Sequence, residues 1–434
     1  AMSKIMIYVL IGMLTFIAGC EVNNDYVFDD ISTHRITKYI EECEAVLQEA
    51  PHGWKLVYYP DTSQYGAFTF LMRFHDGNRV AMQWDGDQDV TESNYSFNTS
   101  QGPILSFGTY SLLHKLADPT PDVIGGKPGL GFGGEYEFLI QNVSDRKIEF
   151  LSKKKKRKVI LEWAASEDWD NMEHNREMVQ RFAVDPQLPL YHYLQIGDQL
   201  ACFLYSQKMR MVYMVCPEGN SVQAYRLPWS STPRGIRFDE PVTFAGITFS
   251  EVTIDANGVM SIVDADEKGH FFRAESKEQN CLVRYSGAVA ASKKYDGFNL
   301  VECGSGFDVL VPKDRGVEEF RFYWNLAGYA GVELYMRRET GIATYATLYP
   351  HTVVDDGIGD CIVFTKPEFP RYEIGGAVTN TDYSWFGFSY EKILEPLFLT
   401  SEGLTVLAFG KQTFIVKNGD STVWGLCSAK EGRD

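Results

Sequence analysis

Residues 54–84 read WKLVYYPDTSQYGAFTFLMRFHDGNRVAMQW, and this stretch decides the fold class. It holds three runs, Trp54–Tyr59, Tyr65–Phe74 and Arg79–Trp84, rich in aromatic and β-branched residues and broken at Pro60-Asp61 and at Asp76-Gly77-Asn78. Each run is too short for a stable helix, and the breaks carry turn residues, so the pattern predicts antiparallel strands joined by short connections. Tyr136–Gln141, Lys147–Leu151 and Val159–Trp163 extend the meander. On the N-terminal side, Ile36, Tyr39, Ile40, Cys43, Val46 and Leu47 recur at a helical period, which predicts a surface helix within 31–50 that Pro51-His52-Gly53 ends.

A second helix is expected at about 166–183. Ser166 caps it, Glu167 and Asp168 stand in its first turn, and Trp169, Met172, Val179 and Phe182 share a face. Further strand runs follow at Leu188–Gln195, Leu200–Tyr205, Met211–Cys216, Phe244–Val252 and His270–Ala274. Beyond the small-residue segment Gly287–Ser292, strands are expected at Phe298–Glu302, Leu404–Phe409 and Thr413–Lys417, with a turn at Asn418-Gly419. The expected fold is mainly β with a few helices, built of antiparallel meander sheets, barrel-like or sandwich. The expected division is a leader over 1–19, an N-terminal β domain with its leading helix over 20–165, a helix plus β domain over 166–290, and a C-terminal β domain over 291–434. No fixed-period repeat points to a propeller or solenoid.

The 434 residues carry 58 acidic against 41 basic side chains, a net charge of −17 that repels nucleic acid. At the N-terminus Lys4 precedes the apolar run Ile5–Ala18, which is shorter than the roughly 20 residues a bilayer span needs. Ile17-Ala18-Gly19-Cys20 then matches a bacterial lipobox, so Cys20 is the expected lipid-attachment residue and the lipid the only expected membrane contact. The other cysteines (43, 202, 216, 281, 303, 361 and 427) have no C-x-x-C spacing and sit mostly in apolar runs, as buried thiols do.

Candidate chemistry is sparse. Gly129–Gly134 satisfies G-x-G-x-x-G, but Glu135-Tyr136-Glu137-Phe138 continues as a strand where a dinucleotide site needs a helix. Lys153–Lys158 reads as a solvated hairpin turn. Asp85, Asp87 and Asp89 alternate as in a calcium loop, yet Val90 stands where that loop needs Gly and Ser96 where it needs Glu, so a hairpin tip is the stronger reading. Asp355–Asp360 near His351 is a second candidate oxygen cluster, read the same way. The eight histidines form no metal-ligand pair, no G-x-S-x-G elbow is present, and no cofactor is implied. Aromatic residues make up 14% of the chain, and Trp169, Trp229 and Trp385, in the most polar surroundings, are the candidate ligand-stacking rings.

Gly53-Trp54-Lys55, Tyr58-Tyr59-Pro60, Gly66–Phe70, Gly102-Pro103, Leu105-Ser106-Phe107, Thr109-Tyr110, His114, Asp118-Pro119 and Gly134–Phe138 together resemble an uncharacterised family of Bacteroidota surface lipoproteins, a domain family of unknown function. The resemblance covers residues 20 to about 165 well and the remainder loosely; Gly108 departs from it where the family shows Asp. Glu21, Asp25, Asp29 and Asp30 resemble the signal that sends such lipoproteins to the outer face of the outer membrane. The resemblance implies an accessory lipoprotein of a SusC/SusD-like nutrient importer and supplies no catalytic residue. The expected function is binding of an oligosaccharide or peptide, or docking on the importer, without covalent chemistry. A surface hydrolase whose carboxylates meet only in the fold, and a structural or adhesive subunit, are the alternatives.

Overall fold

The structure, a computed structural model, describes residues 33–99, 101–109, 111–118, 131–182, 192–218, 221–263, 269–273, 297–304, 306, 317–326, 329–338, 341–349, 351–355, 360–364, 371–374, 377–379, 400–409, 411–420 and 422–429. Three helices and three antiparallel sheets account for most of them.

The first eight strands form a closed up-and-down barrel: β1 (Trp54–Tyr58), β2 (Phe68–His75), β3 (Arg79–Trp84), β4 (Val90–Asn98), β5 (Ile104–Phe107), β6 (Glu137–Ser144), β7 (Lys147–Ser152) and β8 (Lys158–Trp163). Closure comes from β1 pairing with β8, with Trp54 opposite Trp163 and Leu56 opposite Leu161. Alternation decides what enters the lumen, because successive side chains point to opposite faces. Trp54, Leu56 and Tyr58 of β1, Val80, Met82 and Trp84 of β3, and Ile148 and Phe150 of β7 are buried, and the residues between them are mostly more exposed. Phe70 and Trp84 stack in the lumen at 5.5 Å, and with Leu56, Met72, Val80, Met82, Ile148 and Phe150 they fill it with aromatic and aliphatic side chains.

Helices attach to the barrel at both ends and along one wall. Helix α1 (Thr33–Glu49) contacts β2 and β6, strands on opposite sides of the ring, and so caps the end at which β1 begins. Trp54 Nε1 donates to the Leu47 carbonyl at 2.9 Å and fastens it there. The short α2 (Leu112–Ala117) lies in the β5–β6 connection, at the opposite end, and buries Leu112, Leu113 and Leu116 in the same core. Helix α3 (Ser166–Arg181) starts where β8 ends; its sixteen residues span about 24 Å. Lys55–Asp168 and Trp169–His52 contacts tie its first turn to the α1 end. Met172 packs on Leu71 midway, and Arg176 Nε donates to the carbonyls of Trp84 and Asp87 at the far end.

There the second sheet docks. It comprises β9 (His192–Ile196), β10 (Gln199–Ser206), β11 (Met211–Glu218), β12 (Ser221–Thr232), β13 (Gly235–Phe244), β14 (Ile247–Ile254), β15 (Met260–Ile262) and β16 (His270–Arg273), in the order β15-β14-β13-β12-β11-β10-β9-β16. The terminal strands β15 and β16 approach each other without pairing, so this sheet curls into an unclosed ring over Phe203, Trp229, Ile236, Phe249 and Val252. Strand β12 pairs with β11 through Pro228 and with β13 from Trp229 onward. The proline thus sits at the hand-over between partners, where a missing N–H costs little.

The third sheet holds β17–β27 within 297–429: β17 (Gly297–Cys303), β18 (Val317–Leu326), β19 (Tyr329–Arg338), β20 (Gly341–Tyr349), β21 (His351–Asp355), β22 (Asp360–Phe364), β23 (Arg371–Ile374), β24 (Ala377–Thr379), β25 (Leu404–Phe409), β26 (Gln412–Lys417) and β27 (Trp424–Ala429). The hairpin of β25 and β26 turns just before Gln412, and Asn418-Gly419 instead leads from β26 toward β27. Phe409 and Phe414 pack on Tyr213 of β11 at 4.8 and 5.1 Å, which makes one apolar core continuous from the barrel to this sheet. Cys43, Cys202, Cys216 and Cys427 are buried thiols; burial and the neighbouring Glu44 charge push Cys43 up to about 12. Among the described residues no helix is long and apolar enough to cross a membrane.

The barrel and the second sheet are joined by a buried ion pair. Arg210, in the β10–β11 turn at φ 49°, donates to Asp85 Oδ2 at 2.7 Å and to the Ala67 carbonyl at 2.8 Å. Ser231 Oγ and the Thr69 amide complete the shell around the Asp85 carboxylate, and the guanidinium lies 4.1 Å over the Phe68 ring. The side chains are 3% and 0% exposed, so every remaining polar atom needs the partner it has. Gly66 permits the approach: a Cβ there would stand 2.1 Å from the Arg210 carbonyl oxygen.

Candidate functional site

The sequence candidates come first. Cys20 and Trp385 lie outside the described residues, as does the 356–359 segment of the second oxygen cluster. Trp169 is half-buried on α3, where its Nε1 donates to the His52 carbonyl at 2.6 Å and the Arg73 guanidinium covers its ring at 4.1 Å. That ring is spent on fastening the helix. Trp229 is fully buried under the second sheet, so it is no surface stacking ring. The polar residues that follow it in sequence, Ser230 and Ser231, are buried with it.

Asp85, Asp87 and Asp89 occupy the β3–β4 hairpin tip, but their carboxylates are engaged. Asp85 holds Arg210, while Asp87 accepts from Trp84 Nε1 at 2.7 Å and, with Asp89, holds the Lys115 ammonium. Those hydrogen bonds and the Lys115 charge outweigh the opposing effect of burial and keep the Asp87 carboxyl below its ordinary value. Among the described residues no three His, Cys, Asp or Glu side chains gather as a metal site.

Lys153–Arg157 form the β7–β8 turn and Lys158 opens β8, yet the turn is anchored. The buried Glu135 carboxylate accepts from the amides of Lys154 and Lys155 at 2.6 and 3.0 Å, and Lys155 Nζ caps the Gly133 carbonyl. Gly131 and Gly133 of the glycine motif have φ of +59° and +67° in the loop leading to β6. The described part of the motif, Gly131–Gly134, is a turn device folded against α2 and the lysine turn.

Two clefts open on the second sheet. One, of ≈ 570 Å³, is lined by Tyr225 and Pro228 of β12 and by Phe238, Asp239 and Glu240 of β13, with Thr62 of the β1–β2 loop at its rim. Tyr225 is 36% exposed, and its hydroxyl donates to the Gln223 side-chain carbonyl. Arg226 Nη1 donates to the Ser63 carbonyl and ties the cleft to the barrel loop. Burial, then the charge of Glu240, raises the Asp239 carboxyl above its ordinary value. Two carboxyl groups that accept from hydroxyls, beside an aromatic side chain, are the groups a sugar ligand can use.

The other cleft, of ≈ 640 Å³, lies between α3 and the β12–β13 turn. Asn171 and His174, three apart on one helical face, look across at Thr232, Pro233, Arg234, Arg237 and Glu251. Arg237 Nη2 is 2.8 Å from the Glu251 carboxylate directly across the β13–β14 pair. None of these lining residues is marked by a motif. The sequence signals that touch the clefts are the abundance of aromatic residues, for Tyr225 and Phe238, and the expected helix at about 166–183, which carries Asn171 and His174.

Residues 24–256 match a family described as a domain of unknown function (DUF4302), and the chain belongs to that family. The match passes residue 165, where the resemblance read from sequence thins, and runs to the end of β14, so it takes in the barrel and both clefts. No curated protein matches the chain. Among solved structures, the DNA polymerase III subunit beta sliding clamp of Bartonella birtlesii aligns at 9% identity over 92% of this chain and 98% of the clamp, with a TM-score of 0.18. The subunit beta of Borrelia burgdorferi aligns at 11% identity over 92% and 98%, with a TM-score of 0.16. At these scores the likeness carries no argument about fold or function.

Proposed function

We propose that this chain is a lipid-anchored accessory protein on the outer-membrane surface of a Bacteroidota cell, working beside a SusC/SusD-like nutrient importer. Cys20 carries the lipid, and the second sheet holds an oligosaccharide without covalent chemistry. The observation that carries the ligand half is the open cleft around Tyr225, Asp239 and Glu240. Sugar recognition pairs a ring face with groups that exchange hydrogen bonds with hydroxyls, and a cleft of this volume suits a short oligosaccharide. The filled barrel leaves its own lumen out of consideration. The lipobox, the acidic residues after it and the family resemblance support the location.

Titration of the full chain against an oligosaccharide panel tests the ligand half. At least one glycan is expected to bind, and Tyr225→Ala to weaken it by about tenfold, near 1.4 kcal/mol. Binding confined to peptides, or a glycan affinity indifferent to Tyr225→Ala, defeats this half. An anchor-preserving pull-down from native outer membranes tests the other: an importer is expected to come down, and recovery of the chain alone removes the accessory role. The presence of both the Asp239 and Glu240 carboxyl groups in one cleft also favours a second reading, a surface glycoside hydrolase. Turnover on the same panel that disappears in Asp239→Asn while binding persists assigns it.

A further inference from the structure

We propose that the cleft between α3 and the β12–β13 turn is an anion site, which takes a carboxylate or sulfate ester carried on a small sugar-sized ligand. The inference goes beyond the surface-accessory reading and does not depend on it, because it concerns a different cleft with different chemistry.

Two guanidiniums, Arg234 and Arg237, face one carboxylate, Glu251, across an opening that also presents Asn171 and His174. The local balance is therefore cationic in a chain whose net charge is −17. Such a local reversal of sign favours anions at this cleft against the net field of the chain. Arg237 is pre-set: the Glu251 side chain is only 10% exposed, accepts from Thr232 Oγ1 at 3.3 Å, and holds Arg237 by one nitrogen at 2.8 Å. A guanidinium has five N–H donors in a planar fork, so the pairing leaves others for a second oxyanion.

Arg234 is positioned differently. Its carbonyl accepts from the Ile254 amide at 2.9 Å, which fixes the turn, and the next residue, Gly235, packs so tightly that a Cβ would lie 2.0 Å from the Val252 carbonyl oxygen. The backbone is thus fastened on both sides of a guanidinium that has no hydrogen-bond or ion-pair partner among the described residues. A fastened stem with an uncommitted, always-charged head beside a second arginine is the arrangement that grips a planar carboxylate or a sulfate. Across the cleft the Asn171 amide and the His174 ring, one helical turn apart, can exchange hydrogen bonds with hydroxyls of the same ligand. The volume of ≈ 640 Å³ fits a mono- or disaccharide.

The test is calorimetric titration of the full chain at low salt with glucuronic acid, glucose 6-sulfate and uncharged glucose. Both charged sugars are expected to bind and glucose to fail, and whichever charged sugar binds more tightly names the anion. Arg234→Gln, a change at an exposed side chain, is expected to weaken that binding by about tenfold without lowering Tm, and added salt to weaken it further. Arg237→Gln serves as the second variant. Absence of binding by both charged sugars overturns the proposal, as does equal affinity of wild type, Arg234→Gln and Arg237→Gln. Tyr225→Ala is expected to leave these titrations unchanged, so failure of the neutral-glycan reading and failure of this one give different results.

Discussion

The barrel and the second sheet are each eight-stranded antiparallel rings, but β1–β8 pairing closes the first, while β15 and β16 of the second meet unpaired. Closure turns every second residue of the barrel into a filled lumen and leaves its two ends to helices. The unclosed ring grows a long β12, a turn at Pro233-Arg234 and an irregular β13, and both clefts open along that hairpin. A closed sheet holds; an open sheet has edges and bulges free to shape a surface.

Several changes press on this division. The largest effect is expected at the joint: Asp85→Ala leaves the Arg210 guanidinium buried without its counter-charge, a loss of about 3–5 kcal/mol in denaturant unfolding. If the loss stays below 1 kcal/mol, the two rings are not one folding unit. Next is the barrel cap, where Trp54→Phe removes the donor to the Leu47 carbonyl and part of the lumen's filling, for about 1–3 kcal/mol. Glycan and charged-sugar affinities are expected to survive that change, because it lies at the end of the barrel away from the second sheet.

A pH effect separates the α2 region from the rest. Burial lowers the His114 pKa, and its ring stacks on Tyr136 at 4.0 Å with Ser111 Oγ 2.8 Å from Nδ1. The unfolded chain therefore takes a proton first, and stability is lost as pH falls below the ordinary imidazole range and through the lowered folded-state value. One group contributes no more than about 1.4 kcal/mol per pH unit. Replacing it, His114→Gln, is expected to flatten the dependence of unfolding free energy between pH 7 and 5; an unchanged slope assigns it to other groups. Smallest in stability is Tyr225→Ala, within about 0.5 kcal/mol, because the ring is a surface feature.

Most barrel strands were legible because alternation of large apolar residues is strong in β1–β3 and β6–β8. β4 escaped: it reads VTESNYSFN, of which the structure buries only Ser93 and Tyr95. β5 is four residues long, below what a periodicity argument resolves. β12 and β13 escaped for a related reason, since Pro228 reads as a strand breaker and Asp239-Glu240-Pro241 as a loop, although both lie within long strands. The clefts were illegible because their residues come from α3, a turn and three strands brought together only by pairing. Trp229 shows the converse, for polar neighbours in sequence do not mean a polar place in space.

The joint between the rings also bears on how the chain is made. Asp85 precedes Arg210 by 125 residues, which at roughly 5–20 residues per second separates their appearance during synthesis by about 6–25 s. All eight barrel strands are complete before the arginine exists. The Asp85 carboxylate keeps its water until Arg210 reaches it, so docking of the second ring is the step that strips water from both charges together.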